Sequence, residues 1–71
     1  MFEVEVINYR TFERTIMPKT FYTIKAASLY ANKLADEHIR KAKSEGRDVK
    51  SSLTGYGLRV EDKDYVVISQ Q

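Results

Sequence analysis

The chain opens on alternating apolar and charged residues, Phe2-Glu3-Val4-Glu5-Val6, a period of two that predicts a strand with one face buried. Phe2, Val4 and Val6 fall on the core side, and Glu3 and Glu5 on the water side. Ile7 and Tyr9 share the glutamates' side, so the outer face turns apolar at one end. Asn8 to Thr11 supply a turn, and a second extended stretch runs from Phe12 towards Ala26. Pro18 interrupts it. Proline has no amide hydrogen to give a ladder, so this stretch is an edge strand, a bulged strand or two short strands. Phe12, Ile16, Tyr22 and Ile24 share one parity, which favours a single long, interrupted strand.

The period then changes to that of a helix. Tyr30, Ala31, Leu34, Ala35, His38, Ile39 and Ala42 recur at three- and four-residue spacing, with Lys33, Asp36, Glu37, Arg40, Lys41 and Ser44 on the other side. Ser28 is the expected N-cap and Gly46 the expected terminator, which makes the helix about 24 Å long. The polar stretch from Arg47 to Gly57 reads as a mobile loop. A terminal hairpin follows: Leu58-Arg59-Val60 rises to a charged tip, Glu61 to Asp64, and Tyr65-Val66-Val67-Ile68 returns. That unbroken apolar run is expected of a central strand covered on both faces. The whole reads as an α+β domain spanning residues 1–71, a small antiparallel sheet (β-β-α-β-β) with a single helix packed on one face. One helix covers one face, so the other must be polar or must meet a partner.

Composition narrows the picture. A chain of 71 residues without cysteine buries only about 60% of its unfolded surface, so its stability margin is thin and homodimerisation is open to it. No apolar run reaches the roughly 18 residues of a membrane span. The acidic start lacks the features of a secretory signal, and the absence of cysteine fits the cytoplasm. The formal net charge is +2, a mild field rather than that of a strong DNA binder.

Catalytic chemistry finds little to work with. His38 is the only histidine, and Asp36 and Glu37 beside it point away on a helix, so it reads as structural. Glu3 and Glu5 share a strand face but lack a shielded cleft. No phosphate loop, metal cluster or cofactor motif occurs, and the chain is read as not an enzyme. The aromatic residues point instead to an interface, with Tyr9, Phe21 and Tyr56 expected to be exposed. Glu3, Glu5, Glu61, Asp62 and Asp64 could face a basic partner. The alternative is nucleic-acid contact through Arg10, Arg14, Arg40, Lys41, Lys43, Arg47 and Lys50, although cations also belong at a helix C-terminus. Phe21-Tyr22-Thr23 followed by Ala27, Tyr30 and Ala31 resembles the strand-to-helix junction of arm-type DNA-binding domains of tyrosine integrases. The resemblance implies a three-stranded sheet in a DNA groove with a helix behind, and it stops short of the C-terminal hairpin. The expectation is a small binding regulator that docks on a partner protein and modulates or inhibits it. Small, cysteine-free, tyrosine-rich domains of this kind are common bacteriophage and mobile-element products.

Overall fold

The computed structural model describes residues 1–55 and 57–69. In chain order the elements are β1 (Phe2–Asn8), β2 (Arg14–Phe21), α1 (Ile24–Ser44), β3 (Ser52–Leu53), β4 (Gly57–Val60) and β5 (Lys63–Ser69). The strands form one antiparallel sheet in the order β2-β1-β5-β4-β3, with α1 packed on one face. This is the α+β arrangement that the alternation and the helical stripe imply. The short β3 is an addition. Part of the expected loop pairs with β4, Ser52 opposite Arg59 and Leu53 opposite Leu58.

Pro18 bulges β2 without splitting it. Glu3 pairs with Thr20 and Glu5 with Ile16, so Met17, Pro18 and Lys19 lie opposite Val4 alone. A bulge on an edge strand is where a residue without an amide hydrogen costs least. The strand ends at Phe21, short of the predicted Ala26, because the helix starts a turn early. Thr23, extended at φ −123° and ψ 151°, accepts the Ala26 amide on its side chain at 3.1 Å. Thr23 therefore caps α1, and Ser28 lies inside it. At about 1.5 Å per residue the 21 residues of α1 span roughly 31 Å. The stop falls where expected. Gly46, at φ +85°, sends its amide to the Lys43 carbonyl, and the Arg47 amide reaches Ala42 at 2.9 Å.

The core forms where α1 lies on the sheet. Val4 and Val60 are fully buried, and Ala27, Ala31, Ala35 and Tyr65 close around them. The three alanines repeat every four residues, so they share one helix face and let its backbone sit close to the strands. Phe2, Val6, Leu34, Leu58 and Val67 complete the cluster half-buried. Phe21 belongs to this rim. Its ring lies 5.3 Å from that of Tyr30, which corrects the expectation that it faces solvent.

Candidate docking surface

The strand period that sends Val4 and Val6 under α1 sends Glu3, Glu5 and Ile7 to the opposite face. The register adds Arg14, Ile16 and Thr20 from β2, Asp64, Val66 and Ile68 from β5, and Arg59 from β4. No element of the described residues lies over this face. The unbroken apolar run of β5 thus has a different cause from the one expected: Tyr65 and Val67 meet the helix, while Val66 and Ile68 line the open side.

Apart from Glu3, the charges on this face are closed into pairs. Glu5 is expected in water but is only 2% exposed, and Arg14 Nε donates to it at 2.7 Å. That bond, together with the carboxylate's charge, raises the Arg14 guanidinium above its ordinary value. Arg59 donates to Asp64 through Nε at 2.6 Å and Nη2 at 3.0 Å, a two-point grip that raises its pKa. The same guanidinium stacks 4.2 Å above the ring of Tyr9, which is half-buried rather than free.

Phe12 stands at the edge of this face. Asn8 shapes its loop: the side-chain carbonyl accepts the Arg10 and Thr11 amides at 3.0 and 3.1 Å, and the main-chain carbonyl accepts Phe12 at 2.7 Å. The tight path holds Phe12 at φ +64°, a conformation that favours glycine and costs a bulky side chain about 1–2 kcal/mol. Its ring is nevertheless 79% exposed. Beside it lies a depression of about 590 Å³ lined by Glu5, Ile7, Phe12, Arg14, Asp64, Val66 and Ile68. Ile16, 53% exposed, extends the apolar surface onto β2.

A second cluster sits on the helix side, at the C-terminal end of α1. Tyr65 donates its hydroxyl hydrogen to His38 Nδ1 at 2.8 Å, and His38 Nε2 donates to Glu61 at 2.8 Å. This tautomer satisfies every partner, because burial and the nearby Asp62, Glu37 and Glu61 charges push the Tyr65 hydroxyl up to about 12 and keep its proton on. Arg47 holds the other side of Glu61 at 3.0 Å and also binds Glu45 at 2.7 Å. Hydrogen bonds from Arg47 first, then His38, lower the Glu61 pKa. The network borders a groove of about 590 Å³ floored by Val6, Met17 and Leu34. A hydroxyl–imidazole–carboxylate sequence is the order of a nucleophile relay; here the hydroxyl belongs to Tyr65, which is only 6% exposed. No group of three His, Cys, Asp or Glu able to hold a metal occurs among the described residues.

The acidic tip is a two-residue turn, Glu61-Asp62, with Lys63 and Asp64 already in β5. Its carboxylates are used inside the chain: Glu61 by His38 and Arg47, Asp62 by the Asn8 amide at 3.0 Å, and Asp64 by Arg59. The tip is therefore a clasp rather than a free acidic surface. Arg14 lies on the open face and Arg47 in the clasp, so the seven basic candidates do not form one stripe. Arg40, Lys41 and Lys43 remain on the exposed side of α1, with Lys50 beyond it and Arg10 in the Phe12 loop. Tyr56 lies outside the described residues.

Sequence reasoning missed Phe12, because nothing local to it signals a left-handed residue. It missed the Glu61 and Tyr65 partners of His38 because they lie 23 and 27 residues away along the chain. No helix among the described residues is long and apolar enough to cross a membrane. No protein-family model, curated protein or solved structure matches the chain.

Proposed function

We propose that this chain is a small non-enzymatic binding regulator whose uncovered sheet face docks on a partner protein. One observation carries the reading: the open face joins exposed Phe12 and Ile16 and half-buried Val66 and Ile68 to charges that, Glu3 apart, are paired within the chain. Such a face is costly to leave in water and offers little excess charge to a polyanion. It fits a protein surface with an apolar centre that can receive the Phe12 ring. On this reading the His38 clasp is structural and ties the end of α1 to the β4–β5 turn.

The test is capture of partners from lysate by the immobilised chain, with and without nuclease, at low and high salt. The expected result is a nuclease-resistant catch that tolerates salt and is lost in Ile16→Lys. Replacing Phe12 with alanine should weaken it by about 1–3 kcal/mol, as for a buried aromatic anchor. A catch that disappears with nuclease and falls steeply with salt, unaffected by either substitution, would move the function to nucleic acid.

A further inference from the structure

We infer that in the free protein the open face is occupied by a second copy of the same chain, which a partner protein must displace. The inference rests on the docking reading above and names the occupant when the partner is absent. Surface area gives the first argument. A folded monomer of 8.3 kDa exposes about 4,600 Å², whereas this chain exposes 5221 Å². The excess of roughly 600 Å² belongs to the chain as a whole, Leu29 and Leu53 included, and Phe12 and Ile16 are the open face's exposed share of it.

Shape supplies the second argument. A two-fold interface brings the same patch of each copy together, so a knob on the patch needs a hole on the same patch. Phe12 is the knob, and the adjoining depression over Ile7, Val66 and Ile68 is the hole. A two-fold axis through the face lets each ring enter the other copy's depression. Charge is the third argument. Two like faces repel when either carries unbalanced charge, and the Glu5–Arg14 and Asp64–Arg59 pairs are each closed within one chain. Glu3 remains as the one further charge of the face, at the far end of β1 from the Phe12 loop and opposite Ile68. Finally, the covered core is small and rich in alanine, which leaves a monomer with little stability of its own.

Sedimentation equilibrium on the full chain tests this, comparing wild type with Phe12→Gly and Ile16→Lys. Glycine suits φ +64°, so Phe12→Gly removes the knob without straining the loop, and circular dichroism checks that both variants stay folded. The expected result is a dimer whose dissociation constant rises by about tenfold or more in each variant. A wild-type chain that stays monomeric at every concentration overturns the inference, as does a dimer that neither substitution weakens. If that monomer still captures a protein through Ile16, only the self-pairing fails and the docking reading stands. Loss of the face-dependent catch as well removes both.

Discussion

Val4 and Ile16 sit on neighbouring strands of one sheet, yet Val4 is fully buried and Ile16 is 53% exposed. The difference is the helix. Under α1 the sheet meets alanines that let the backbone approach closely, and the covered side of the core is apolar. On the far side, aliphatic groups share the surface with two ion pairs and a strained, exposed phenylalanine. Alternation along each strand assigns residues to a face, but only the contents of a face show what it is meant to meet.

The largest expected contrast comes from putting a charge on each face. Val4→Asp buries a carboxylate with no cation beneath α1, at a cost of about 3–5 kcal/mol. That consumes much of the stability of so small a chain, and loss of the far-ultraviolet helical signal at ambient temperature should follow. Ile16→Lys, on the open side, should leave the signal and the melt nearly unchanged at low protein concentration. Comparable melts for the two variants would mean that the faces are not different environments.

Next in size is overpacking. Ala31 is 4% exposed in the middle of the alanine row, so Ala31→Leu pushes α1 off the sheet and should cost about 1–3 kcal/mol in chemical denaturation. An unchanged denaturation midpoint would show that the alanines are not what sets the helix distance.

This contrast marks what was legible in the sequence. The faces of β1 could be read from Phe2 to Ile7, because a period of two needs no tertiary information. The same holds for the stop of α1 at Gly46. Its start was misplaced because two hydroxyl residues, Thr23 and Ser28, compete for the cap, and which one wins depends on where β2 ends. Glu5 was misjudged for a different reason. Parity puts it on the open face, but it is buried there and bonded to Arg14 on the next strand. The clasp around His38 was invisible because Glu61, Arg47 and Tyr65 reach it only after the hairpin folds back. The open face could be inferred from the count of one helix and several strands, whereas its aromatic edge could not.

Tyr65 allows a smaller test, on the covered side. Replacing it with phenylalanine leaves His38 Nδ1 without its donor and should cost about 0.5–1.5 kcal/mol near neutral pH. Its titration adds a signature. The folded-state pKa is raised to about 12 from an ordinary 10.0, so the folded chain holds this proton more tightly than the unfolded one. The associated stability is complete below pH 10 and is lost as pH rises through about 12. Glu61 is shifted the other way, so its contribution is present above the ordinary carboxylate range and fades as pH falls through its lowered pKa. Melting temperatures across the alkaline range should therefore fall less steeply in Tyr65→Phe. Parallel curves for the two proteins would place the Tyr65 hydroxyl in water.

The smallest expected change has the opposite sign, and it separates the two faces most cleanly. Phe12 holds φ +64° at a strain of about 1–2 kcal/mol, while its ring gains little from the fold at 79% exposure. Glycine removes the strain but loses about 0.5–1 kcal/mol of extra chain entropy on folding. Phe12→Gly should thus stabilise the monomer by roughly 0.5–1 kcal/mol, even as it weakens whatever the face binds. The measurement is a denaturation midpoint in the Ile16→Lys background, where pairing through the face does not contribute. Truncating a large apolar residue on the covered side can only destabilise, because it opens a cavity. A gain in folding stability coupled to a loss of binding would mean that Phe12 is kept in a strained conformation for the sake of something outside the chain. A drop in the midpoint would instead make the ring part of the fold and remove the knob from the argument.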